Sequence, residues 1–246
     1  RGNLSLSGTR GGLDYQIQAQ SGNNHDVTTY KENSVLGDFS ANDFIYRKDI
    51  DDGGGYGLSA NVGYEINPDS SARLSGQFTE GTNDTDINRK TVNLRIQPGI
   101  ESYQREDIRS KINNWEIGGD YKYNTARGDR FKVLFISNSF TPDRLRERWN
   151  LTGPSSESKN LFLDSTSTTK ERIIRSSYTL DMFGDSQDIE FGAERAQTIL
   201  DSSLALGTLN PNGISSAAVG GLVPVDIPNA RSSVEEMRYE PFVIHN

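Results

Sequence analysis

Apolar and polar residues alternate with a period of two along several segments of the chain. Residues 56–66 carry tyrosine and aliphatic side chains at even positions and mostly small or polar side chains at odd positions. The same alternation runs through 13–20, 71–79, 114–123, 174–182 and 188–194. A period of two is typical of strands with one apolar and one polar face. The pattern therefore predicts an all-β chain.

Short turns and long connections alternate between the predicted strands. The predicted turns are Thr9–Gly12, Asn67–Ser70, Ala126–Asp129 and Gly184–Gln187, and their Gly, Asn, Asp and Pro residues supply the backbone angles that tight turns require. The segments without clear periodicity are longer, and they are predicted to be loops: 22–53, 81–111, 141–168 and 207–232. Short turns at one end and long loops at the other are typical of an antiparallel up-and-down transmembrane β-barrel.

Composition excludes several classes of protein. A net charge of −8 argues against a nucleic-acid-binding protein. The absence of cysteine excludes disulfides and thiolate metal sites, and the chain has no apolar run long enough for a transmembrane helix. A hydrophobic fraction of 33% suits a barrel with one lipid face and one polar face. It equally suits a secreted all-β protein.

The sequence offers little catalytic or metal-binding chemistry. Its two histidines, His25 and His245, are far apart in the chain, and the glycine-rich segment 53–57 lacks the lysine of a phosphate-binding loop. The acidic clusters 49–52 and 84–88 do not continue with the glycine and glutamate that a calcium loop needs. The chain is therefore predicted to have no enzymatic activity, no cofactor and no metal site.

Aromatic residues in the predicted loops are candidate ligand contacts. Exposed aromatic side chains at the mouth of a barrel could bind a substrate, and an alternative is that they pack the loops against one another. The candidate substrate-binding residues are Tyr30, Phe44, Tyr46 and Trp149.

Three segments resemble strands of TonB-dependent outer-membrane receptors. Residues 1–15 resemble the first barrel strands, Asp188–Arg195 (DIEFGAER) resembles the "LEFGAE" strand, and residues 238–246 resemble a later strand. The resemblance implies an outer-membrane receptor that takes up a scarce nutrient with energy from the TonB complex. The nutrient could be a siderophore–iron complex, a cobalamin, a sugar or a peptide.

The chain departs from these receptors in its extent. The resemblance implies a barrel of about 22 strands with a plugged lumen. About nine strands are predicted in this chain. Residues 1–246 are therefore expected to be part of the N-terminal half of a transmembrane barrel domain, with the plug domain and the remaining strands outside this chain. The expected partners are outer-membrane lipid, a small extracellular ligand and the TonB complex, reached through an N-terminal segment. Two alternatives are a passive porin and a soluble all-β binding or adhesion module.

Strand parity predicts which side chains share a face. One set is expected to contact lipid: Leu58, Ala60, Val62, Tyr64, Ile66, Leu74, Phe78, Tyr178 and Leu180. The other set is expected to face the lumen: Asn61, Glu65, Arg73 and Asp181.

Overall fold

The computed structural model describes residues 1–96, 99–152, 156–182 and 187–245, and these residues form an all-β antiparallel sheet. In these ranges no helix is long and apolar enough to cross a membrane. The strands are β1 (Gly2–Arg10), β2 (Leu13–Val35), β3 (Ala41–Asn67), β4 (Ser70–Asn93), β5 (Ile100–Asn124), β6 (Arg130–Leu151), β7 (Glu157–Met182), β8 (Gln187–Thr208), β9 (Val223–Pro224) and β10 (Arg231–His245).

The strands follow one another in an up-and-down order. Each strand from β1 to β8 pairs antiparallel with the next, β10 pairs with β8, and the two-residue β9 pairs with the end of β8. The predicted all-β, antiparallel up-and-down arrangement is therefore confirmed, and the described residues contain nine long strands and one short strand. Across the described ranges the pairing forms a series that begins at β1 and ends at β10.

The strands are longer than the alternation predicts. β2 to β8 contain between 22 and 27 residues each, so the strands run through most of the segments that were predicted to be loops. The prediction of long loops at 22–53, 81–111 and 141–168 is therefore wrong. The physical reason is that these strand halves carry polar residues on both faces, so they show no period-two signal although the neighbouring strands satisfy their backbone hydrogen bonds.

Three predicted short turns are confirmed. Gly11 and Gly12 connect β1 to β2 with φ of 57° and 80°, a backbone conformation that favours glycine in two-residue hairpins. Pro68 and Asp69 connect β3 to β4, and Asp69 N donates to Asn67 Oδ1 at 2.9 Å. Residues 125–129 connect β5 to β6. The fourth predicted turn, Gly184–Gln187, lies outside the described residues apart from Gln187, which begins β8.

The connections at the opposite end of the sheet are of unequal length. Residues 36–40 join β2 to β3, and residues 94–99 and 152–156 join the next two pairs. Residues 209–230 form the one long connection that agrees with the prediction, and they contain a single 3₁₀ turn at Ala217–Val219 and the short β9. The sheet therefore has a short-turn end and a second end, here called the long-connection end.

A phenylalanine covers a glycine near the short-turn end of the last strand pair. Gly192 lies directly opposite Phe242. A Cβ atom added to Gly192 would lie 2.6 Å from Phe242 Cζ and 2.3 Å from the backbone oxygen of Ser176. The Arg175 guanidinium stacks on the same ring, 4.2 Å from its centroid. The close approach of these groups therefore requires glycine at position 192.

We expect Gly192→Ala to lower the free energy of unfolding by about 1–3 kcal/mol, because an added methyl must displace backbone and ring. The measurement is the midpoint of urea unfolding of the purified protein. The matched control is Gly76→Ala, because a Cβ there meets only Glu116 O at 3.8 Å. Equal midpoints for the two variants would contradict the packing described.

Candidate functional site

The strand register separates the residues of the sheet into two faces of opposite character. Leu58 lies opposite Phe78 and Val62 opposite Leu74, whereas Asn61 lies opposite Ser75. The predicted sharing of faces is therefore confirmed for this hairpin, and contact with lipid stays a prediction. We call the face of Leu58 and Val62 the apolar face and the opposite one the polar face. Ile66 falls at a register shift between Glu65 and Asn67.

The apolar face carries a band of exposed hydrophobic residues at its short-turn end. Aromatic residues bound this band on both sides in β3 and β5. In β3 the band runs from Tyr64 to Tyr56, and in β5 it runs from Tyr123 to Trp115. Each segment is nine residues long, the length that a tilted strand needs to cross the hydrocarbon of a bilayer. This apolar band is defined by Ile17, Tyr56, Leu58, Val62, Tyr64, Leu74, Phe78, Trp115, Ile117, Tyr121, Tyr123, Phe135 and Ile174.

Four aromatic side chains form a continuous row along the lower border of the band, the border nearest the short-turn end. The border nearest the long-connection end is called the upper border, and the strand halves beyond it are called the upper halves. Tyr123, Phe131, Tyr178 and Phe191 occupy directly opposite positions on β5, β6, β7 and β8. The Tyr178 and Phe191 ring centroids are 5.7 Å apart. At the upper border, Tyr56 and Phe78 have centroids 5.8 Å apart. Aromatic rows on both sides of an apolar band are typical of transmembrane barrels.

Charged residues begin where the band ends. On the apolar face of β4, Phe78 is followed toward the long-connection end by Glu80, and on β5 Trp115 gives way to Lys111. Lys111 Nζ lies 3.3 Å from Glu80 Oε1. Beyond the band this face is mixed: charged residues alternate with scattered exposed side chains such as Val27, Tyr46 and Tyr103, so the continuous hydrophobic surface is the band itself.

The polar face is the less exposed of the two. In β3, Asp49 is 5% exposed and Gly57 and Gly63 are buried, whereas Leu58 is 53% and Val62 38% exposed. A water-soluble sheet buries its apolar face instead. The exposure of the two faces of β3 is the reverse of that arrangement.

Five arginines occupy the polar face near the long-connection end. Two of them pair with buried carboxylates. Arg47 donates to Asp49 through Nε at 2.7 Å, and Arg146 donates from Nη2 to Glu106 Oε2 at 3.0 Å. Asp49 and Glu106 are nearly fully buried. We call the set the arginine cluster: Arg47, Arg89, Arg144, Arg146 and Arg148.

The arginine cluster has more positive charge than its carboxylates neutralise. Arg89 lies directly opposite Arg47, and its buried Nε has no hydrogen-bond partner among the described residues. Arg148 donates to the neutral Asn160 at 3.0 Å. The hydrogen bonds to Asp49 raise the pKa of Arg47 above its usual value. The cluster can therefore supply guanidinium donors to an anionic group.

The structure does not bring the four candidate substrate-binding residues together. All four lie in strands instead of loops, because the strands extend through the predicted connections. Tyr30 is on the polar face, where Arg47 stacks on its ring at 5.4 Å. Phe44 and Tyr46 lie on the opposite face of β3, and Trp149 lies on that face three strands away. The prediction that these residues are loop aromatics is wrong, and their part in ligand binding stays a prediction.

Trp149 is the centre of a separate charged cluster. Arg105 lies 4.0 Å and Lys159 5.3 Å from its ring centroid. Arg105 also pairs with Glu157 and Asp107, and these hydrogen bonds, the one to Glu157 first, raise the pKa of Arg105. Two cationic side chains therefore contact the Trp149 ring.

Among the residues that the structure describes, Phe39 is the aromatic residue that lies in a connection. It has φ of 64° and is 87% exposed at the turn between β2 and β3. Asp38 accepts hydrogen bonds from the hydroxyl and backbone N–H of Ser40, and these bonds lower the pKa of Asp38. The turn therefore presents one phenylalanine to solvent at the long-connection end.

Sequence reasoning missed the arginine cluster. Its members come from three strands, and the predicted loops contained all of them. A register alignment of β3 with β4 would have placed Arg47 and Arg89 side by side, but the upper strand halves give no period-two signal from which to set that register.

Comparisons with protein-family models, curated proteins and solved structures found no match to the chain. Within the described ranges no group of three or more histidine or acidic side chains could hold a metal ion.

Proposed function

We propose that this chain forms part of the wall of an outer-membrane β-barrel receptor that takes up a small nutrient by active transport. The observation that carries the proposal is the apolar band. It exposes a zone nine residues long with aromatic borders, and charged residues follow beyond the upper border. In water such a band would be a large unpaired hydrophobic surface, whereas in a bilayer it matches the hydrocarbon.

The length of the strands supports a receptor rather than a minimal barrel. β3 has 27 residues, which corresponds to about 90 Å of extended chain. The band uses nine of these residues. The remaining upper part would extend beyond the bilayer and present the arginine cluster and Tyr30 toward an incoming solute.

Energy coupling is the part of the proposal that the resemblance supplies. Residues 1–15 and Asp188–Arg195 resemble strands of TonB-dependent receptors. We infer coupling to the TonB complex through a segment outside this chain. The nutrient is one of the four classes named above. A passive porin shares the same wall and differs by conducting ions through an open lumen, so planar-bilayer conductance of the purified protein separates the two functions.

Epitope tags in intact bacterial cells test the orientation of the barrel. We expect a tag beside Ser156 to be labelled from outside and a tag beside Asp69 to be labelled only after permeabilisation, because short turns of outer-membrane barrels are periplasmic. Both sites are connections, so each tag should leave the strands intact. Labelling at Asp69 with none at Ser156 would show that the short turns face outward, which contradicts the expected orientation. A protein that purifies from the soluble fraction without detergent would contradict the proposal and favour the binding or adhesion module.

A further inference from the structure

A cavity of about 550 Å³ opens on the polar face near the short-turn end, far from the arginine cluster. From this cavity we infer a second binding site, for a small oxyanion with two or more negative charges, of the phosphate or polycarboxylate type. The cavity is walled by β4, β5, β6, β7 and the beginning of β8. Five cationic side chains line it: Arg73, Lys122, Arg130, Lys132 and Arg175.

The cations of this cavity outnumber its carboxylates. Asp120 and Glu190 are the two acidic residues in its lining, which leaves three positive charges in excess. Arg175 Nη2 lies 3.8 Å from Glu190 Oε1, a long ion pair. The other four cations form no ion pair with any residue in the described ranges. The lining of the cavity therefore has a net positive charge, which a bound anion would neutralise.

The register places two of these lysines directly against each other. Lys122 on β5 is opposite Lys132 on β6. Directly opposite residues have Cβ atoms about 5 Å apart, and like charges in that position destabilise a sheet. A bound oxyanion between the two ammonium groups turns this repulsion into two attractive contacts. The lysine pair is therefore explained by a ligand better than by the stability of the sheet.

Buried hydroxyl groups complete the donor set. Ser177 continues the row of Lys122 and Lys132 on β7, and Thr179 is opposite Arg130. Ser177 is 7% and Thr179 6% exposed. Hydroxyl and guanidinium donors together suit a compact oxyanion, since bidentate arginine contacts recognise phosphate and carboxylate groups. The volume is within the range of small-molecule sites.

This site does not depend on the membrane assignment, because anion binding is measured on the purified protein and topology in cells. The experiment is calorimetric titration of the protein in detergent with inorganic phosphate and, separately, with citrate. Sodium chloride holds the ionic strength constant. We expect saturable binding of at least one probe, and the stronger probe identifies the type of oxyanion.

The variant Lys122→Gln/Lys132→Gln should weaken that binding at least about tenfold, since each lost charge-assisted hydrogen bond is worth about that factor. The control, Lys31→Gln/Lys48→Gln, removes the same charge from exposed positions on the apolar face of β2 and β3 and should bind as the wild type does. No saturable binding of either probe, or equal weakening in both variants, overturns the inference.

A second measurement needs no variant. Acetylation of the wild-type protein, followed by mass spectrometry, should be slowed by the bound probe at Lys122 and Lys132 and unchanged at Lys31 and Lys48. Equal rates at all four lysines with and without the probe would also overturn the inference.

Discussion

Val62→Arg should sharply reduce assembly of the protein in the outer membrane. Val62 lies within the apolar band, is 38% exposed and is opposite Leu74. An arginine on the lipid face near the bilayer midplane costs about 2–4 kcal/mol, and the strand cannot avoid this cost by slipping, because a slip of one residue exchanges the two faces of the whole hairpin. The measurement is the amount of folded, heat-modifiable protein in isolated outer membranes.

The matched control for this variant is Asn61→Arg. Asn61 neighbours Val62 in the chain but lies on the polar face, opposite Gln16 and Ser75. The same side chain introduced one residue away should therefore assemble at close to the wild-type level. If both variants assemble equally well, the apolar band does not contact lipid, and the soluble alternative gains support.

Glu106→Gln should lower the free energy of unfolding by about 3 kcal/mol, the lower end of the range for a broken buried ion pair. The Glu106 side chain is 6% exposed and pairs with Arg146, which is 35% exposed and can recover part of its hydration. Glutamine keeps the size and one acceptor but leaves the guanidinium without its counter-charge. Urea unfolding in detergent, followed by tryptophan fluorescence, measures the loss.

Glu101→Gln is the control for the buried pair. Glu101 pairs with Lys90 at 2.7 Å, and both side chains are more than a third exposed. The hydrogen bond from Lys90 lowers the pKa of Glu101, so this small contribution to stability is present above the unfolded-state pKa and disappears as the pH falls through the folded-state pKa. At neutral pH we expect a much smaller loss than for Glu106→Gln, because exposed ion pairs contribute little to stability. A loss as large as that of Glu106→Gln would contradict the role given to burial.

The sequence by itself determined the fold class, three of the short turns and the division of the lower strand halves into two faces. In residues 56–66 the side chains alternate between apolar and polar, and the two glycines at 11 and 12 suit a tight hairpin. These features are local. A strand with different environments on its two faces must alternate, and a turn with positive φ favours glycine.

Only the tertiary structure decided the length of the strands, and with it the position of the candidate sites. The upper strand halves meet polar surroundings on both faces, so neither alternation nor composition marks them as strands. The sequence therefore predicts that Tyr30 and Trp149 lie in loops. The strand pairing places them in β2 and β6, on opposite faces of the sheet. The pairs Arg47–Arg89 and Lys122–Lys132 are likewise products of register, because residues that are opposite across two strands carry no sequence signal of their proximity.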